Sequence, residues 1–293
     1  MEFGVHLLGL GRRATVADII TAAKAAEDLG YHSVWTNDHV LIPTQHGSKY
    51  PYSADGRPSF TPDDHFYDPF VLLSAVAAQT QTIRIGTSVV VLPYRPPVLM
   101  AKAIATLDQV SGGRFIFGVG VGWFAEETEL LGVPFAERTK ISRSYLDMMK
   151  KLWSDERTSI PNLQGQPTEV GFAPKPVQRP YPPIWFGGET RAALKRVVQQ
   201  GEGWFPAFAP PEVFAAKADE LKRLCAEQGR DFSSLTVCAF PANKAYFTLE
   251  AIHTYRQHGA SILLAPVGSP QVKEFIAQLQ KFRDEVMIPA RDI

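Results

Sequence analysis

Short apolar runs rich in β-forming residues alternate along this chain with longer stretches whose apolar positions recur every three to four residues. Continuous apolar runs of four to eight residues read as buried strands, and the 3.6 period reads as amphipathic helix. Strands are predicted at residues 3–8, 33–37, 83–92, 114–121, 183–186, 203–206, 235–240 and 261–266. Helices are predicted at 15–29, 69–79, 97–110, 125–153, 190–200, 211–227, 248–257 and 270–285. Gly30 closes the first helix with a stop signal. Strict alternation implies parallel pairing with both faces of the sheet covered, and eight units close a (β/α)8 TIM barrel, one domain over residues 1–293. A doubly wound open sheet is the competing arrangement.

Two connections are too long to be simple links. Residues 41–67 carry Tyr50, Tyr52, Phe60, Phe66 and Tyr67 among glycines and prolines, and 155–182 are proline-rich with little periodicity. Structureless connections of this length are usually lids or disorder, and the aromatic content argues against disorder. Both are expected as insertions covering the C-terminal rim of the barrel, where barrel chemistry sits.

Composition narrows the function classes. A content of 45% hydrophobic and 20% charged residues suits a globular enzyme with a sizeable core. Thirty basic residues balance thirty acidic ones without a basic run, so a nucleic-acid partner is not expected. Cys225 and Cys238 have no metal-ligand spacing and lie in apolar contexts; they read as buried thiols in a reducing, cytoplasmic compartment. The first apolar run lacks a cleavage signal and reads as a strand, and no run approaches the roughly 18 residues of a membrane span.

The stretch FGVGVGWFAEE ends the fourth strand, and Gly120, Gly122 and Ala125 satisfy G-x-G-x-x-A. A dinucleotide turn would need a second strand with an acidic end about 20 residues on, but here the helical pattern continues. Glu126 and Glu127 also occupy the first helical turn, where they suit the helix dipole and would oppose a pyrophosphate. What remains is a strand end bare of side chains at Gly118, Gly120 and Gly122, open to close approach by a flat group or to tight strand packing. Trp123 is then a candidate pocket wall.

Other strand ends add polar chemistry. Strand two runs out as Trp35-Thr36-Asn37-Asp38-His39. A histidine can move a proton near neutral pH and a carboxylate can fix its tautomer, although Asp38 could equally be a helix cap. His6 has no second histidine at metal spacing, and no H-E-x-x-H occurs, which disfavours a metal hydrolase. Strand three continues through Ser88-Val89 as an ordinary β-branched run. Strand five ends in Gly187-Gly188-Glu189-Thr190 before a helix, a turn that can present N–H groups and a hydroxyl to a phosphate, or can simply be capped by Thr190.

With these strand ends assembled, the sequence resembles the bacterial luciferase-like monooxygenase superfamily, and within it the branch dependent on the deazaflavin coenzyme F420. The resemblance rests on WTNDHV, YPYSADGR, IRIGTSVVVLP, FGVGVGW with LGVPFAER, PVQRPYPPIWFGG and GEGWFP, in family order from Glu2 to about Glu227. It implies a TIM barrel with F420 or a flavin at the C-terminal rim. By position it implies Asp38 and His39 beside the ring, a bulge with a non-proline cis peptide at Ser88-Val89 behind it, Gly120, Gly122 and Trp123 flanking it, and Gly187, Gly188 and Thr190 on the phosphate. It also implies a homodimer. Two positions depart from the family pattern: Trp123 stands where sugar-phosphate dehydrogenases carry an acid, and Glu189 where many relatives carry serine.

The resulting expectation is an F420-dependent oxidoreductase that moves a hydride between the deazaflavin and a small organic substrate. His39 is the expected proton-handling residue, with Asp38 orienting it or the chromophore. The alternatives are an FMN-dependent monooxygenase fed by a partner flavin reductase, a barrel lyase or isomerase, and a non-catalytic flavin-binding protein. Cations available to the acidic F420 tail, such as Lys175, Arg179 or Arg191, would discriminate between the first two.

Overall fold

The computed structural model describes residues 1–11, 13–241 and 243–292. In chain order its elements are β1 (Glu2–His6), α1 (Val16–Asp28), β2 (Ser33–Thr36), α2 (Pro69–Gln79), β3 (Arg84–Thr87), β4 (Val90–Val91), α3 (Pro97–Ser111), β5 (Phe115–Gly120), α4 (Ala125–Leu130) and α5 (Arg138–Ser154). There follow β6 (Arg157–Pro161), β7 (Pro167–Gly171), β8 (Ile184–Gly187), α6 (Arg191–Gln200), β9 (Gly203–Phe205), α7 (Pro211–Glu227), β10 (Thr236–Ala239), α8 (Leu249–Gln257), β11 (Ile262–Ala265) and α9 (Val272–Phe282). Eight of these strands close a parallel ring in the order β1, β2, β3, β5, β8, β9, β10, β11 and back to β1. The closed ring is a (β/α)8 TIM barrel, and it removes the open-sheet alternative.

Local sequence explains the element ends. Thr15 and Asp18 cap α1 reciprocally, with the Thr15 side chain accepting from the Asp18 N–H. Asp68 caps α2 by accepting from Phe70 and Val71, and Pro69 fills the first helical position, where no N–H is needed. Two cores result. One lies between sheet and helices; the other fills the barrel axis with Trp35, Ile116, Trp185, Phe205, Cys238, Ile262 and Leu264. Trp35 packs at a tilt on Trp185 and Phe205, with ring centroids 5.3 and 5.0 Å away. Each such buried aromatic contributes about 1.5–3 kcal/mol, and together they make a solid floor beneath the rim. Both cysteines are free and buried.

Three elements depart from the sequence reading. The helix expected over 125–153 is broken between α4 and α5, because Gly132 takes a left-handed φ of 82° and Pro134 supplies no N–H to continue the ladder. The strand expected over 83–92 stops at Thr87 and resumes at Val90 after a cis Ser88–Val89 peptide, and β4 then pairs with β5. The 155–182 segment is neither structureless nor a cover. It holds the antiparallel hairpin β6–β7, packs on α5, and contributes no residue to the rim cavity. It joins a helix to the following strand, so it starts from the end of the barrel opposite the rim; its prolines hid a strand pair whose outward residues are polar. No helix among the described residues is long and apolar enough to cross a membrane.

Candidate active site

A cavity of about 1120 Å³ opens at the C-terminal ends of the barrel strands. All ten candidate residues line it: Asp38, His39, Ser88, Val89, Gly120, Gly122, Trp123, Gly187, Gly188 and Thr190. Its floor is set by a contact that the glycine pattern could not reveal. A Cβ on Gly120 would come within 2.7 Å of Val89 Cγ2, and one on Gly187 within 3.0 Å of Val89 Cγ1. The bare glycines thus let the Val89 side chain wedge between β5 and β8, leaving a flat apolar shelf. Gly118 serves the other reading, strand packing, since its Cβ would collide with the Thr87 carbonyl and Thr87 Oγ1 donates to Gly118 O at 2.7 Å.

Asp38 and His39 both reach the cavity, but not as a pair. Neighbouring side chains on an extended segment leave on opposite sides. The Asp38 carboxylate takes two bonds from Arg95, at 2.7 and 2.9 Å, and one from the Val91 N–H at 3.1 Å. Arg95 also bonds Asp68 at 2.9 Å, so the cap of α2, the end of β2 and β4 are tied through one guanidinium. The expected orientation of His39 by Asp38 is therefore replaced: His39 Nδ1 lies 2.6 Å from Glu127 Oε2. Tyr94 OH donates to the same oxygen at 2.9 Å, and the Val40 and Leu41 N–H groups donate to Oε1 at 2.7 and 3.2 Å. Burial, and then the charge of Glu127, hold the Tyr94 phenol above its ordinary range, so it remains a donor.

The aromatic loop over 41–67 covers the cavity and is latched to α4. Glu126 Oε1 accepts from the Gly47 and Ser48 N–H groups at 2.6 and 3.1 Å, and Ser48 Oγ accepts from the Ala125 N–H at 3.0 Å. Burial raises the Glu126 carboxyl, but the Ser48 side chain and these amides outweigh it and bring it down to about 2. Ring contacts then run across the mouth. His39 lies 4.8 Å from Phe60, which meets Tyr50 at 6.3 Å; Tyr50 meets Tyr52 at 5.6 Å, and Tyr52 meets Phe208 at 5.5 Å on the opposite wall. Phe208 packs at 5.0 Å on Phe240, which stacks at 5.7 Å on His6. Trp123 adds a wall at 5.2 Å from Tyr50.

His6 is a cavity residue that the sequence treated only as a failed metal ligand. Its Nε2 lies 2.7 Å from Ser88 Oγ, and burial lowers its pKa to about 4, so it is neutral at physiological pH. At the other end of the cavity, Thr190 caps α6 by accepting from the Ala193 N–H at 3.2 Å. Glu189 turns away from that helix end and accepts from the Ala207 N–H at 3.1 Å. The cations proposed for an acidic tail are elsewhere: Lys175 bonds the carbonyls of Leu152 and Asp155, Arg179 is in the 155–182 segment, and Arg191 pairs with Glu220 at 3.6 Å. None of the three lines the cavity; Arg138, Arg196, Lys217 and Lys244 do. Burial, then the nearby Arg138 charge, lowers the pKa of Arg196.

The sequence profile described as luciferase-like monooxygenase covers residues 1–243. This chain belongs to that family. It is an enzyme of the family's F420- or flavin-dependent oxidoreductase class. An uncharacterised Mycobacterium tuberculosis protein is 35% identical over 211 residues, 72% of each chain. An FMNH2-dependent dimethylsulfone monooxygenase of Pseudomonas putida is 28% identical over 57% of this chain and 46% of its own. A putative coenzyme F420-dependent oxidoreductase of M. tuberculosis is 28% identical over 73% of this chain and 58% of its own. Solved structures share the barrel at TM-scores of 0.63 to 0.76 with 16 to 19% identity, a likeness of fold.

Proposed function

We propose that this protein is an F420-dependent oxidoreductase transferring a hydride between the deazaflavin and a small, apolar, flat organic substrate. The observation that carries the reading is that four cations, Arg138, Arg196, Lys217 and Lys244, line the same cavity as Gly188 and Thr190 at the N-terminus of α6. Four cations in one lining, of which Lys217 is paired with Glu220, supply more positive charge than one phosphate at a helix N-terminus needs. It suits an acidic cofactor tail. The Val89 shelf and the bare edges at Gly120, Gly122 and Gly187 would hold the ring system, and the N-terminus of α6 its phosphate.

A deazaflavin supplies two electrons as hydride and largely lacks the oxygen chemistry of a flavin. The remaining work belongs to this chain's residues. Phe60, Phe66, Trp123 and Tyr52 wall a water-poor space in which only flat apolar groups pack well. His39 lines the cavity with Nδ1 engaged by Glu127, which leaves its other nitrogen, Nε2, to meet a substrate oxygen gaining or losing a proton. His6, neutral and bonded to Ser88, braces the shelf from the side opposite the loop.

A second reading, an FMN-dependent monooxygenase supplied by a flavin reductase and using molecular oxygen, draws on the P. putida relative. Fluorescence titration of the apo-protein with F420 and with FMN, oxidised and reduced, separates the two. Tighter F420 binding, weakened at least tenfold by Arg196→Ala, is expected. Preference for reduced FMN with no effect of Arg196→Ala would transfer the protein to the monooxygenase reading, and failure to bind either would remove both.

A further inference from the structure

Glu127 has no solvent exposure, and a carboxylate so buried is tolerated only when its acceptor positions are engaged. Each oxygen meets two donors: Oε2 meets His39 and Tyr94, and Oε1 meets the N–H groups of Val40 and Leu41. We propose that Glu127 is the positioning residue for His39, holding the imidazole with its proton on Nδ1 while fixing the two residues that follow it at the root of the aromatic loop. The inference rests on the proposed role of His39, but its test needs neither cofactor nor substrate.

The chemistry follows from the donor inventory. An ionised carboxylate accepts and cannot donate, so the 2.6 Å contact requires Nδ1 to carry the proton. The neutral ring then keeps a bare Nε2, the form that accepts a proton from an alcohol or, once protonated, returns one to a carbonyl oxygen. The opposite tautomer would present an N–H to the cavity and leave two lone pairs facing each other at Glu127. His39, Val40 and Leu41 are consecutive, so one side chain holds both the ring and the start of the loop whose Phe60 and Phe66 pack on that ring at 4.8 and 4.9 Å. Displacing the loop root therefore also displaces the histidine. Glu126, one residue earlier, provides an internal comparison, since it grips the same loop further on, through the Gly47 and Ser48 N–H groups instead of the His39 ring.

The test is ¹⁵N–¹H correlation spectroscopy of the imidazoles in histidine-labelled protein without cofactor, with the His39 signal assigned by its loss in His39→Asn. The expected wild-type ring in its neutral form is protonated at Nδ1 and bare at Nε2. Glu127→Gln removes that preference, Glu127→Asp restores it in part, and Glu126→Gln leaves it unchanged. A wild-type proton on Nε2 overturns the proposal whether or not any variant folds, and so does a Glu127→Gln spectrum identical to wild type. In turnover, Glu127→Gln lowers kcat by about 10²-fold, the lower range for a lost acid–base group, whereas Glu126→Gln acts on KM. Equal effects of both on kcat would mean that Glu127 serves the loop alone. Failure of F420 to bind would leave the tautomer result standing, which separates the two readings.

Discussion

Two long insertions looked alike in the sequence and do opposite work in the fold. The 41–67 loop follows a barrel strand, leaves from the C-terminal rim, and is pinned by Glu126 and Glu127 so that its aromatic side chains roof the cavity. The 155–182 segment follows a helix, leaves from the opposite end, and spends its residues on a hairpin against α5. What separates them is their place in the alternation: a connection from strand to helix reaches the chemistry, and one from helix to strand does not. Length and proline content carried no such information.

Removing the aromatic loop does the most damage. Replacing residues 50–60 by a short glycine–serine link is expected to lower kcat/KM by about 10²-fold or more, because the ring walls and the packing on His39 go together. Equal loss on shortening the hairpin turn at 162–166 would erase the distinction; the expected change there is less than twofold.

His6, which lines the same cavity, ties stability to pH. His6 protonates near 6.5 in the unfolded chain but only near 4 when folded. The unfolded state therefore binds the extra proton first, and stability falls as pH drops from about 6.5 to about 4, by up to roughly 3 kcal/mol. Thermal unfolding across this range checks it: the His6→Gln variant is expected to lose less stability than wild type over that interval, and parallel curves would refute the assignment.

Smaller effects sharpen the account of the loop. Phe60→Ala removes ring contacts to His39, Phe66 and Tyr50 and is expected to raise KM by about tenfold, measured by steady-state kinetics with the wild-type stability retained. The Glu126 latch is smallest. Its folded pKa lies below the unfolded one, so its contribution is complete above the ordinary glutamate value and disappears as pH falls towards about 2. Hydrogen exchange at Gly47 and Ser48 is expected to keep constant opening protection from neutral pH to about 5 and to lose it below. In Glu126→Gln that protection is expected to be weaker and independent of pH.

Much of the site was legible because the residues that shape it sit at strand ends, and strand ends are marked by local pattern. Eight apolar runs fixed where the rim would be, and the ten rim residues all reached one cavity. The partners of those residues were not legible. His39 and Glu127 are 88 positions apart, and Asp38 and Arg95 are 57 apart. Beside His39 in the chain, Asp38 looked the natural carboxylate; Glu127 looked like one of two dipole-complementing acids on a helix.

Periodicity and glycine placement in these 293 residues were enough to specify a closed alternating barrel, an aromatic insertion and a bare-edged rim, since secondary structure follows from patterns a few residues long. Which carboxylate holds the histidine, which arginines share the cavity and which insertion covers it were settled by barrel closure. Closure brings the segment after β2 against α4, which follows β5, so that His39 meets Glu127 while Asp38, one position earlier in the chain, meets Arg95.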